Sequence, residues 1–159
     1  MSLLTIYPGW IYKDEMQKPY DNQNKDRPSD QVAIASSAQL MDILEHMSDA
    51  LYTVDENWRI TYVNRKTEEF WGRCREELLG RDVWAAFPQA VGTPPYHAYL
   101  GAMRTRQPVT FEYFSPIIHR WLDVRAYPHG AGLAVHFSDI TARKQAELDR
   151  ERLLTALEE

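Results

Sequence analysis

Residues Arg120–Glu147 read RWLDVRAYPHGAGLAVHFSDITARKQAE, and this stretch decides the fold. From Arg120 to Pro128 apolar and polar residues alternate, and they alternate again from Gly132 to Asp139. A period of two is that of a strand with one face buried. The intervening PHGAG carries turn chemistry, so the two segments form an antiparallel pair. At Thr141 the period changes to that of a charged helix. Ala142, Ala146, Leu153 and Leu157 fall near heptad spacing, with Leu148 and Leu154 broadening the stripe. Residues 142–159, at about 1.5 Å each, give a rod of roughly 27 Å, shorter than three or four heptads. This helix is expected to be the cut start of a parallel coiled coil leading to an effector. The alternative is a terminal helix folded back on its own sheet.

Working outward, VTFEYFS (109–115) supplies a third alternating strand. TPPYHAYLGAMRTRQ (93–107) before it reads as a helix, with Pro94 and Pro95 in the first turn, where a missing N–H costs little. Tyr96, Tyr99, Leu100 and Met103 share one face of that helix. Further upstream come three short helices. Asn64 caps RKTEEFWG, which Gly72 ends; CREELLG ends at Gly80; Asp82 caps VWAAFPQ. ALYTVDENWRITYVN (50–64) is a hairpin around Asp55-Glu56-Asn57, and Leu40, Ile43, Leu44 and Met47 give residues 38–47 an amphipathic helical face. Strands at both ends with helices between them imply an α+β fold: one five-stranded antiparallel sheet with the helices on a single face. The expected organisation is a tail and linker over residues 1–37, a domain over 38–141 and an outgoing helix over 142–159. The tail holds an aromatic patch, Tyr7, Trp10 and Tyr12, and a polar stretch with Pro19 and Pro28.

A chain of 159 residues, 44% hydrophobic and with 5 Trp, 9 Tyr and 5 Phe, can build one well-filled core but not two full domains. It has no apolar run long enough for a bilayer and no basic-then-apolar leader, so a cytoplasmic protein without membrane contact is expected. Cys74 is the single cysteine, which excludes an internal disulfide and a cysteine metal cage. A net charge of −5, with basic residues interleaved among acids, argues against nucleic acid as a partner. No phosphate loop, HExxH, Gly-x-Ser-x-Gly or metal-spaced histidine pair is present, so no catalytic site is expected.

Five local features together resemble the PAS domain: SDALYTVDENWRITYVN, NRKTEEFWG followed by REELLGRDVWAAFP, the single long helix, RWLDVRAYP, and VHFSDITARKQAE. The similarity covers roughly Ala38–Glu159 and points to bacterial sensor proteins, sensor histidine kinases above all. It implies a regulatory module, not an enzyme in itself, linked to a downstream effector. In the family the Asp and Thr of the last motif pass a change in the sheet to the output helix; here they are Asp139 and Thr141. It also implies a concave sheet whose cavity is lined by Phe70, Trp84, Phe87, Tyr96, Tyr99, Met103, Phe111, Tyr113, Leu122, Val124, Val135 and Phe137. Such a set suits a small apolar ligand and equally suits a filled core that serves only protein interaction.

His97 lies where haem-binding relatives carry their iron ligand. With Tyr96 and Tyr99 facing inward, the helix turns His97 about 100° aside, and the strand that follows has no Arg for a propionate. Cys74 lacks the Asn, Phe and Gln of the flavin-binding motif. Neither haem nor flavin is expected. Trp71 reads as a core anchor. The outward strand residues Trp121 and Tyr127 need a cover, for which the helix from Ala38, of the same chain or a neighbour, is the candidate. With the C-terminal heptads this implies a parallel homodimer.

Overall fold

The alternation seen in the sequence is the pleat of a real sheet. The computed structural model describes residues 28–158, so the patch of Tyr7, Trp10 and Tyr12 lies outside the described residues. Strands β1 (Ala50–Val54), β2 (Ile60–Val63), β3 (Val109–Ser115), β4 (Arg120–His129) and β5 (Gly132–Asp139) form one antiparallel sheet in the order β2-β1-β5-β4-β3. The first and last strands of the chain thus meet at the centre, where Tyr52 pairs with Val135 and Val54 with Leu133. Between β2 and β3 run α2 (Arg65–Trp71), α3 (Arg75–Leu78), α4 (Val83–Ala86), a 3-10 turn (Pro88–Ala90) and α5 (Pro94–Thr105).

One face of the sheet is buried beneath these helices. Ala50, Tyr52 and Val54 on β1, Leu122, Val124 and Ala126 on β4, and Leu133, Val135 and Phe137 on β5 alternate inward and are nearly inaccessible to water. The caps read from sequence are made: Asn64 accepts from Thr67 N, Asp82 accepts from Trp84 N and Ala85 N, and Gly72 ends α2 at φ +61°.

The N-terminal helix differs from the expectation, and the C-terminal one decides between two. Helix α1 spans Pro28–His46, beginning ten positions before the start expected at Ala38 and taking in part of the polar stretch. It also does not cover the outer sheet face of its own chain. Its C-terminal end packs on α2, while Leu40, Met41 and Ile43 stay exposed. The apolar spacing was read correctly as helical, but periodicity cannot say which surface a face meets. Helix α6 (Thr141–Glu158) lies against β4 only at its start, and residues 145–158 are exposed, so it does not fold back on the sheet.

Candidate functional site: an inner cavity and the β5–α6 junction

Between the sheet and the helices lies a cavity of about 60 Å³. The sheet contributes Tyr52, Tyr113, Ser115, Leu122, Val124 and Phe137; the helices contribute Trp71, Val83, Trp84, Ala90, Pro95 and Tyr99; Phe87 comes from the link after α4, and Ile117 and Ile118 from the turn after β3. At about 10–15 Å³ per water, this is room for roughly four waters.

Among the residues expected to line it, Trp84, Phe87, Tyr99, Tyr113, Leu122, Val124 and Phe137 do so. The other five lie elsewhere. Tyr96 packs edge-on against the far side of this cluster, 4.7 Å from the Trp84 ring, and Phe70 lies 5.7 Å from Phe137. Val135 is sealed in the core at 1% exposure, and Met103 and Phe111 pack against that core, Phe111 touching Tyr99 at 5.9 Å. The sequence reading missed Tyr52, although its position between Ala50 and Val54 placed it on the inner face. It took Trp71 only as a core anchor. In the structure Trp71 bridges Tyr52 and Phe87, at 4.9 and 4.5 Å between ring centres, and forms part of the cavity wall. Nothing in sequence spacing marks Ile117 and Ile118, which sit in an irregular turn whose N–H groups donate to Ser115 Oγ.

The cavity wall holds no charged side chain. Its polar atoms are hydroxyls and indole nitrogens. Burial pushes the phenols of Tyr52 and Tyr99 well above the ordinary value of 10.0 and that of Tyr113 above it, so all three stay neutral. His97 and Cys74 are both exposed and outside this wall. Among the described residues no group of His, Cys, Asp or Glu is placed to hold a metal.

At the end of β5 the chain enters α6 through a small knot of hydrogen bonds. Thr141 N donates to Asp139 Oδ1 at 2.9 Å, and Arg120 Nη1 donates to Asp139 Oδ2 at 3.0 Å. Ile140 N donates to Trp121 O at 2.9 Å. The Thr141 hydroxyl does not cap its own helix; it accepts from Trp121 N on β4 at 3.1 Å. Asp139 is therefore the cap, and Thr141 is the tie to the neighbouring strand. Burial works against the Asp139 carboxylate. The hydrogen bonds from Thr141 and the charge of Arg120 outweigh it and hold the pKa below the ordinary 3.8.

A further residue at this junction was not legible. Glu112 on β3 accepts from Arg143 at 2.6 Å and pairs with Lys144 at 2.5 Å, and the Lys144 ammonium lies 5.4 Å from the Trp121 ring centre. The first turn of α6 is thus fastened to β3 as well as to β4. No local motif joins Glu112 to a basic pair some thirty positions away; only the strand register does.

The N-terminal helix is fastened by a second node. Arg75 on α3 pairs with Glu45 of α1 at 2.8 Å and Glu68 of α2 at 2.6 Å, and Tyr62 donates to Glu45. Hydrogen bonds from Arg75 lower the pKa of both Glu45 and Glu68 from 4.5. Because the folded values are depressed, the contribution of this node is present above about pH 4.5 and fades as the pH falls through the folded values. In urea unfolding, the midpoint should therefore drop between pH 5 and 3, and drop less in Arg75→Met. Equal drops in the two proteins would count against the node.

A family model for the PAS fold matches residues 44–145. No curated protein sequence matches this chain. Among solved structures, the PAS domain of Bordetella pertussis BvgS is similar at 18% identity and a TM-score of 0.54, with 79% of this chain and 98% of that one covered. A PAS domain from Colwellia psychrerythraea is similar at 20% identity and a TM-score of 0.55, covering 67% of this chain and 98% of that one. A sensory box sensor histidine kinase from Vibrio cholerae is similar at 17% identity and a TM-score of 0.51, covering 71% and 98%. The sheet order, the helices on one face and the family match over residues 44–145 agree: this chain belongs to the PAS fold family.

Proposed function

We propose that this PAS domain is a cytoplasmic sensor and dimerisation module that passes a ligand or partner signal through Asp139 and Thr141 into α6. From there the signal reaches a C-terminal effector, in our reading a histidine kinase. The observation that carries the proposal is the junction: Asp139, Thr141, Arg120 and the Trp121 backbone bind the start of α6 to two strands at once. A shift of β4 against β5 has to tilt the helix. Signalling is then a change in the populations of two such arrangements, biased by whatever binds one of them better.

Dimerisation is supported by apolar side chains that find no partner among the described residues. Ile34, Leu40 and Ile43 on α1 and Leu153 and Leu157 on α6 are between 57% and 84% exposed. A second copy of the chain, aligned in parallel, would cover both helices. For the effector, support comes from fold relatives whose names place them in histidine kinases. No described helix is long and apolar enough to cross a membrane.

The test is a fusion of this chain, through α6, to the catalytic half of a histidine kinase. Asp139→Ala and Thr141→Val should each change autophosphorylation at least about fivefold while leaving the fold intact by circular dichroism. Unchanged kinase output in both variants contradicts the relay. The small cavity also favours a second reading, a PAS module with a filled core that recognises only proteins. A thermal shift with any small molecule argues against that reading. The haem alternative through His97 has no support in the geometry, since His97 is exposed and outside the cavity.

A further inference from the structure

The cavity is a poor place for a signal to enter. Apolar cavities that take up a benzene ring measure about 150 Å³, and this one is about 60 Å³. The Tyr52 and Tyr99 hydroxyls pair with one another, and that of Tyr113 pairs with Thr93 and Ser115, so the phenols are satisfied from within the protein.

The N-terminal helix is better placed. α1 runs for 19 residues, about 28 Å, and residues 33–43 are exposed. Only its last turn is fastened, where Leu44 O accepts from Asn64 Nδ2 and Glu45 pairs with Arg75. The chain leaves that turn through Asp49, whose backbone oxygen accepts from the same Asn64 nitrogen at 3.0 Å. The Asp49 side chain then reaches β5: His136 Nε2 lies 3.1 Å from Asp49 Oδ2, and the two side chains are 23% and 36% exposed. A carboxylate can only accept, so the imidazole is the donor. His136 stands between Leu51 of β1 and Arg125 of β4, and Arg125 turns to Asp123 at 3.5 Å. Asp49 is therefore the one acceptor that His136 has among the described residues. Three positions further along the same strand is Asp139, the cap of α6. Between them Phe137 is locked in the core at 3% exposure, paired with Ala50 on one side and Val124 on the other, so this piece of β5 moves as a unit.

We propose that α1 is the input element of this domain, and that His136 is the positioning residue that carries a displacement of its last turn, through Asp49, into β5 and on to α6. The proposal rests on reading Asp139 and Thr141 as a relay and names where the signal comes in.

Backbone amide exchange in the full chain tests it. Arg75→Met frees one tie of α1. In an otherwise unaltered chain it should speed exchange of the Lys144 and Gln145 amides, in the first turn of α6, about fivefold. His136→Leu, which removes the donor, should abolish that response, and His136→Gln, which puts an amide N–H near the place of Nε2, should restore it. Should His136→Leu fold poorly, Asp49→Ala breaks the same contact from the other side. Because coupling between two sites is reciprocal, Thr141→Val should speed exchange at residues 45–47 while His136 or its Gln replacement is present, and not in His136→Leu. A merely structural His136 would alter exchange by itself but leave the response to Arg75→Met as it was. Equal responses with and without the contact, or no response of α6 in any of these proteins, overturn the proposal. Whether α6 then drives an effector is decided by the kinase output of Asp139→Ala, which does not depend on His136.

Discussion

Replacing Asn64 by alanine is expected to lower the stability of this domain by about 4 kcal/mol, measured by urea unfolding. Asn64 has no exposed surface and uses its amide completely. Its carbonyl oxygen accepts from Leu51 N, Thr67 N and the Thr67 hydroxyl, and its NH₂ donates to Leu44 O and Asp49 O, all within 2.9–3.0 Å. One side chain therefore caps α2, secures the start of β1 and receives the end of α1. Removing it leaves up to five buried or half-buried groups without their partner, and each such loss costs about 1 kcal/mol or somewhat less when water enters. Asn64→Asp is a sharper version of the experiment. It keeps the acceptors but turns the two donors into a carboxylate facing carbonyl oxygens, so the folded pKa is raised above the unfolded value of about 3.9. Asn64→Asp should then be least damaging at low pH and lose stability as the pH rises through the folded value. A variant whose stability does not depend on pH in this way would contradict the geometry at Asn64.

Gly132→Ala is the second large effect, and it acts by repulsion. A Cβ at this position would lie 1.8 Å from Val54 O and 2.8 Å from Asp55 Cα, both backbone atoms of the central strand pair. Neither can rotate away. β5 would have to separate from β1 at the point where Val54 pairs with Leu133, and a cost of about 3 kcal/mol or more is expected. Gly101, in α5, is the control: an added Cβ there meets nothing within 4 Å, and alanine favours the helix by about 0.5–1 kcal/mol. Thermal unfolding of the two variants should move in opposite directions. If Gly132→Ala unfolds within a degree or two of the parent, the close approach of β1 and β5 is wrong.

Much of this fold was legible because the sheet is buried on one side. Strands such as VTFEYFS alternate in burial, and Asn64 and Asp82 sit one position before helical runs, so both elements and caps could be read locally. The hairpin turn at Asp55 was equally plain: Asp55 Oδ1 accepts from Asn57 N and Arg59 N, the turn chemistry its sequence suggested. What could not be read is whatever depends on distance along the chain. The pairing of β1 with β5 brings Tyr52 beside Val135, and no spacing rule specifies that contact. The same holds for Glu112 with Lys144 and for Glu45 with Arg75. The cavity shows both sides of this limit. Inward alternation found Tyr113, Leu122, Val124 and Phe137, but it could not separate those that border empty space from Val135 and Phe111, which face the same way and fill it.

The first ten residues of α1 were missed for a different reason. PSDQVAIASSA has too few apolar positions to show a helical stripe, and the proline that suggested a linker is the first residue of the helix, where its missing N–H is harmless. Residues 33–38 of this segment are exposed.

The central claim is that α6 and the sheet behave as one rigid piece because of the knot at Asp139 and Thr141. Residual dipolar couplings measured on the backbone amides of β3–β5 and of residues 141–148 test it directly. In the wild type, a single alignment tensor should fit both sets, and in Asp139→Ala combined with Thr141→Val the helix should require its own, smaller tensor. Helix couplings already averaged towards zero in the wild type, or a single tensor that survives the double substitution, would show that the helix is not held at this junction.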